Sequence, residues 1–215
     1  MIADGIDEGL KREIFCGGIM VSFEFYFDYR SPYSYLAHTQ FERLPGIPGF
    51  HPFDIRDVMQ LVGNVPTSVV CEAKNKYVKA DLQRWVKYYG VPFRRRPDIA
   101  NIDARRLLRA TISAGPANSA SRSLAAGAIM NAMWRDSFPL KTVADICNVF
   151  SKVGIDGAAF SDLIDDPVID NELNSGSAAA AERGVFGAPT FIVGSDLYFG
   201  NDRIDFLKAR LESGK

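Results

Sequence analysis

The first clear pattern in the chain is an alternation over residues 20–27, MVSFEFYF, which sets Val21, Phe23, Phe25 and Phe27 on one side and adds Tyr26 to the other. A period of two with aromatic and β-branched residues predicts a strand buried on at least one face. Asp28-Tyr29-Arg30 turns the chain, and Ser31-Pro32 then opens a helical stretch, SPYSYLAHTQFERL, which Pro45-Gly46 stops. Serine ahead of a proline at the first helical position is a strong start signal. Residues 47–53 read as a second short strand. Helical periods then take over. Glu72 to Tyr89 is amphipathic and closed by Gly90 and Pro92, and further helices are expected over 102–114, 119–135, 139–153, 157–164 and 167–183. The strand signal returns at 190–193, turns at Gly194-Ser195-Asp196 and pairs back over 197–199. Asn201 and Asp202 are then placed to cap a last helix carrying Ile204, Phe206, Leu207 and Leu211.

The predicted order is β-α-β, a block of helices, then β-β-α, an α/β fold. If both flanks join one sheet, the helices between them form an insertion with its own small core. The divisions expected are an N-terminal extension over 1–19, loosely attached; a discontinuous domain over 20–57 and 184–215; and a helical insertion over 58–183. Composition narrows the function. With 25 Lys+Arg against 26 Asp+Glu, the formal charge of -1 argues against a general grip on nucleic acid or an anionic membrane. No apolar run approaches the roughly 18 residues a spanning helix needs, and the first nineteen residues mix charges as no secretory signal does. His38, His51, Cys16, Cys71 and Cys147 are too few and too scattered for zinc spacings, so no metal is expected. No cysteine pair forms C-x-x-C. The odd, sparse cysteines suggest a reducing, cytoplasmic setting without a disulfide framework.

Several motifs in fixed order carry a family resemblance. Residues 25–37, FYFDYRSPYSYLA, are followed by Gly63-Asn64-Val65-Pro66, by Asp81-Leu82-Gln83-Arg84-Trp85, by residues 184–191, GVFGAPTF, and by Gly200-Asn201-Asp202-Arg203. Together they resemble 2-hydroxychromene-2-carboxylate isomerases, relatives of the kappa-class glutathione transferases and, more distantly, of the bacterial disulfide oxidoreductases. The resemblance runs from about Met20 to the C-terminus. It implies a thioredoxin-like domain interrupted by an all-helical insertion, glutathione as cofactor, a small aromatic acid as substrate, and a homodimer. Family members usually carry tryptophan where this chain has Phe199, often Gln in place of Asn201, and a longer segment before Gly63-Asn64.

The candidate chemistry centres on Ser31. Where the disulfide oxidoreductases carry C-x-x-C, this chain reads Ser31-Pro32-Tyr33-Ser34, so it has no thiol there to exchange. A helix start favours an anion, and a serine hydroxyl adds a donor, so a bound glutathione thiol could ionise beside Ser31 near neutral pH. Read from Ser-Pro alone, Ser31 is an N-cap, and the two roles are compatible. The resemblance further implies that Ala188-Pro189 is a cis bond facing Ser31 and that Ala188 pairs with the cysteinyl backbone of glutathione. It places Asn201 and Asp202 at the γ-glutamyl end. Taken singly, Gly187-Ala188-Pro189 reads as an ordinary turn, and Asn201, Asp202 and Arg203 as a cap with a solvated arginine. Asn64, Arg84 and Trp85 are the candidates for the second substrate, although Trp85 alone reads as core and Arg84 as a surface residue. His38 reads as a packed or surface histidine, the run Arg94-Arg95-Arg96 as a solvated loop, and the cysteines as structural.

The reaction implied is a glutathione-dependent isomerisation of an aromatic keto or enol acid. Its rivals are a kappa-like glutathione transferase or peroxidase and a non-catalytic peptide-binding module.

Overall fold

The computed structural model describes residues 22–66 and 70–213, so the expected arm over 1–19, and Cys16 within it, lie outside the described residues. Strand β1 (Ser22–Phe27) is central, β2 (Ile47–Pro52) lies parallel to it, and β3 (Thr190–Val193) antiparallel on its other side, with β4 (Asp196–Phe199) beyond β3. The register sets Phe25 opposite both Phe50 and Phe191. The Phe25 ring stacks on that of Phe191 at 5.3 Å between centroids and meets Phe50 edge-on at 5.7 Å, geometries that suit the ring quadrupole. Phe23, Phe25 and Phe27 are buried on this face, as the alternation predicts. Tyr26 points to the other face, where it joins a smaller core with Phe53, Val58, Ala180, Val185 and Ile192. The fold is thioredoxin-like and of the α/β class.

Helix α1 (Pro32–His38) is shorter than the expected stretch to Leu44. The reason is local competition for carbonyls: Thr39 Oγ1 donates to Leu36 O at 2.6 Å, and a single 3₁₀ turn, Phe41–Arg43, follows. That turn seats the Phe41 ring among Phe23, Phe25, Phe50 and Phe191, which a continued α-helix would not do. Helix α2 (Ile55–Leu61) was not expected from the pattern; it is capped by Asp54, whose side chain accepts from Arg56 N at 2.9 Å. Then come α3 (Glu72–Tyr89), ended by Gly90 at φ 65° where a side chain would be strained, α4 (Ala104–Ser113) and α5 (Ala120–Asn131). Helix α5 runs on into a π-helical turn, Ala132–Asp136. Helices α6 (Val143–Ser151), α7 (Ser161–Ile164), α8 (Pro167–Glu182) and α9 (Ile204–Glu212) complete the order.

The sheet and the helical block share one core, in which Phe27, Tyr29 and Leu36 lie with Leu107, Ile129, Met130 and Trp134. Helix α8 packs on the opposite sheet face through Ala180, and its Ser177 Oγ accepts from Asp54 N at 3.0 Å. The capping expected of Asn201 and Asp202 is not formed. They lie in a 3₁₀ turn, Asn201–Arg203, and α9 starts from Arg203 with no side-chain cap, because the Asn201 side chain is turned to Tyr89. No helix among the described residues is long and apolar enough to cross a membrane.

One ionic cluster fixes the turn after β1. Asp28 is fully buried and accepts from Arg30 N, Nε and Nη2 and from Ile55 N, the first bond of α2. Arg30 Nη2 also donates to Asp54 Oδ1 at 2.5 Å, and Asp54 takes a further bond from Arg105 of α4 at 3.2 Å. Burial works against the charge on Arg30, but Asp28 and Asp54 more than offset it and hold the guanidinium protonated. Removing one member leaves buried carboxylates without their partner. Arg30→Ala is expected to lower unfolding free energy by about 3 kcal/mol in urea titration. Arg43→Ala, which removes the exposed pair with Asp205, should change it by less than about 1 kcal/mol.

His38 is pressed against the backbone of Gly127 and lies beside the rings of Phe41 and Phe50. Desolvation pulls its pKa down to about 4 from 6.5. The folded chain therefore resists a proton that the unfolded chain takes up. Stability is full above about pH 6.5 and falls as pH drops toward about 4. His38→Leu should flatten that part of the stability profile, measured by denaturant titration at several pH values.

Candidate active site

Ser31 occupies the N-cap position of α1, with extended backbone and Pro32 following, yet its side chain makes no capping bond. Its Oγ instead donates across to Ala188 O at 2.9 Å, joining the first turn of the fold to a loop 157 positions later. The Ala188-Pro189 bond is cis. The loop is pinned on both sides: Thr190 Oγ1 donates to Gly187 O at 2.8 Å and Gly200 N donates to Pro189 O at 2.9 Å. Asn64, after α2, reaches the same loop through Nδ2, which donates to Phe186 O at 2.9 Å. Ser31, Ala188, Pro189 and Asn64 thus form one group.

A second group lies at the end of α3. Trp85, Asn201 and Asp202 line a cavity of about 40 Å³ with Arg43 and Tyr89. Asn201 is buried: Tyr89 OH donates to its carbonyl oxygen at 2.7 Å, and its Nδ2 donates weakly back to Tyr89 OH at 3.4 Å. The Asp202 carboxylate is 41% exposed, and its one ion pair among the described residues is with Arg203, at 3.2 Å. Arg84 belongs to neither group. Its side chain is 66% exposed, 4.0 Å from Asp81 and over the Tyr77 ring.

Two residues that the sequence reading did not single out connect the groups. Tyr33, two positions after Ser31, donates through its hydroxyl to Asp81 Oδ2 at 3.0 Å, and Tyr77 OH donates to Asp81 Oδ1 at 3.2 Å. Burial raises the Tyr33 pKa, and the Asp81 carboxylate that its hydroxyl meets adds to it. Asp81 stood inside the Asp81–Trp85 motif, but nothing in the pattern said which of its residues would face α1. The Ser34 hydroxyl is buried with no hydrogen-bond partner among the described residues.

Both histidines and the two described cysteines, Cys71 and Cys147, stay outside these groups. His51 pairs with Glu24 at 3.6 Å and stacks on Tyr26 at the sheet edge. Cys147 donates to Gly157 O at 3.1 Å, and burial pushes its thiol up, while Cys71 is exposed at the start of α3. A larger cavity of about 420 Å³ lies against Arg30, Asp54, Asp57, Asp103 and Arg105. It contains none of the predicted site residues, and Arg30 and Arg105 on its wall are already paired with carboxylates. The chemistry therefore points to the Ser31–Ala188 cleft. That cleft brings a hydroxyl donor and a peptide carbonyl together.

Comparison with known proteins bears on this. The model of the DSBA-like thioredoxin domain family matches residues 23–212. The chain is 32% identical over 204 residues to a 2-hydroxychromene-2-carboxylate isomerase from Pseudomonas sp. (strain C18), covering 93% of this chain and 94% of that protein. It is 31% identical to a protein of the same name from Pseudomonas putida, covering 87% and 93%. Among solved structures, a 2-hydroxychromene-2-carboxylate isomerase superposes with a TM-score of 0.79 at 28% identity, over 89% of this chain and 95% of that one.

The Tyr33–Asp81–Tyr77 bridge ties α3 to the Ser31 turn. Asp81→Ala removes two hydroxyl bonds from a partly exposed carboxylate, a loss of about 1 kcal/mol. Hydrogen exchange of the α3 amides should become about fivefold faster, with the β1 amides unchanged.

Proposed function

The chain belongs to the DSBA-like thioredoxin domain family and to that of the 2-hydroxychromene-2-carboxylate isomerases, and from that premise we propose that it is a glutathione-dependent isomerase of an aromatic keto or enol acid. The reaction proposed is the interconversion of 2-hydroxychromene-2-carboxylate with trans-o-hydroxybenzylidenepyruvate. The observation that carries the reading is the Ser31 hydroxyl at the start of α1, 2.9 Å from the Ala188 carbonyl, in a frame whose thiol positions hold serine.

With serine at 31 and 34, thiol chemistry at the start of α1 needs sulfur from another molecule. When bound, glutathione supplies a thiolate nucleophile that adds to the conjugated carbon, permits rotation about the former double bond and leaves unchanged. The protein's part is to hold and orient. Ser31 O–H is the donor that stabilises negative charge on a sulfur, and its present acceptor, the Ala188 carbonyl, has a second lone pair for a peptide N–H. Among the described residues none accepts a hydrogen bond from Ala188 N–H, which leaves that amide and the second lone pair of the carbonyl for an extended peptide. The exposed Asp202 carboxylate suits an ammonium group. The cavity beside Asn201 has room for about one water, so a γ-glutamyl group would lie across its mouth and not within it. Asn64 is exposed beside the loop and can turn its amide to a substrate carboxylate or carbonyl.

Ser31→Ala is expected to reduce isomerase turnover by about 10²-fold while leaving the fold intact by circular dichroism. Steady-state assays of the purified protein with and without glutathione read this directly. Near wild-type rates in the variant, or no dependence of the wild type on glutathione, would sink the proposal, and accumulation of a stable glutathione adduct would mark a transferase.

A further inference from the structure

The Ser31 chemistry makes no use of two aromatic rings that stand beside it. Phe186 is 38% and Phe199 43% exposed, and their rings pack with centroids 4.6 Å apart at an interplanar angle of 48°. The loop that carries Phe186 is pinned through its backbone. The Phe186 carbonyl is fixed by Asn64, and Ala188, two residues on, is fixed by Ser31. Gly187 between them has no side chain, and a Cβ there would meet Phe199 Cε2 at 2.7 Å. Glycine is thus what lets the Phe199 ring lie flat against the loop that carries Ala188.

We propose that Phe186 and Phe199 form the wall on which the aryl ring of the substrate lies, and that they select planar aromatic acids over aliphatic ones. This inference rests on the isomerase reading of the same site. Its physical basis is the size and chemistry of the uncovered surface. Two rings of this exposure leave roughly 150 Å² of apolar surface open, given about 200 Å² for a whole aromatic side chain. The patch falls well short of the roughly 800 Å² per partner of a stable protein interface. It matches one bicyclic ring system, and offset or edge contacts to the two phenyl faces reward an aromatic occupant beyond its area. Phe186 precedes Ala188 by two residues and the Phe199 ring closes on Gly187 between them, so the wall belongs to the loop that Ser31 holds through Ala188.

Chromone-2-carboxylate, a planar bicyclic acid with no isomerisable bond, is the probe. Its affinity is measured by calorimetry for the wild type, Phe186→Ala, Phe199→Ala and Phe199→Trp, with glutathione titrated separately and sedimentation run on each. Both alanine variants are expected to bind the probe about five- to tenfold more weakly, Phe199→Trp within about twofold of the wild type, and all four should bind glutathione alike. Unchanged probe affinity in both alanine variants, absence of probe binding to the wild type, or a change in sedimentation in place of one in probe affinity each overturns the wall. If the wild type binds the probe through the two rings but does not bind glutathione, the wall stands and the glutathione-dependent reading fails.

Discussion

The carboxylate of Asp28 is the constraint on which the site rests. It is fully buried between β1 and α1, and such a charge is tolerated only where hydrogen bonds and an opposite charge surround it. Those partners come from three places: Arg30 within the same turn, the first amide of α2, and, through Arg30, the cap residue Asp54. Because Arg30 is fixed at both ends, the residue after it has little freedom. That residue is Ser31. Two neutral bonds add to the constraint from the helical block: Tyr29 OH meets Thr111 Oγ1, and Trp134 Nε1 donates to Tyr29 O at 3.1 Å. Every element that touches the turn therefore restrains the direction in which α1 begins.

With the turn fixed, the loop before β3 needs few bonds of its own. It receives one from Ser31, one from Asn64 and one each from Thr190 and Gly200. All four donors lie outside the loop, so the cleft is built from four chain segments, at Ser31, at Asn64, at the loop with the start of β3, and at Gly200. This arrangement is rigid where negative charge would be held and open where a ligand would enter. Helix α3, by contrast, is little buried, with Leu82 its one buried residue. Its attachment near the site runs through polar contacts to Tyr33 and Asn201 and leaves a long solvated face.

How much of this was legible in the sequence depended on whether the signal was local. The β1 alternation, the Gly90 stop of α3 and the Pro167 start of α8 are local and were read correctly. The end of α1 was misread, since the Thr39 side chain and the seating of Phe41 in a distant aromatic cluster decide it. Helix α2 was missed because its seven residues show little periodicity and its cap, Asp54, is distinguished only by its ionic partners. At the site, Ser31 and Ala188 are 157 positions apart, and no periodicity could join them; the family resemblance did. Asn201 was read as a cap, and its real partner, Tyr89, lies 112 positions away. Tyr33 and Asp81 went unread for the same reason: a cross-helix hydroxyl bond leaves no trace in spacing.

The replacement of thiols by serines at 31 and 34 has a consequence beyond the loss of exchange chemistry. A buried cysteine is a small apolar group, whereas a buried serine hydroxyl left without a partner costs free energy. Ser31 avoids that cost by bonding to Ala188, and Ser34 does not, since its Oγ has no partner among the described residues. The chain carries this cost at a position one helical turn from Ser31 while keeping Cys147 bonded to Gly157 and Cys71 on α3, both away from the turn. A start to α1 with hydroxyls at 31 and 34 cannot form a mixed disulfide there, which is what the proposed glutathione-dependent chemistry asks of a sulfur that adds and leaves again.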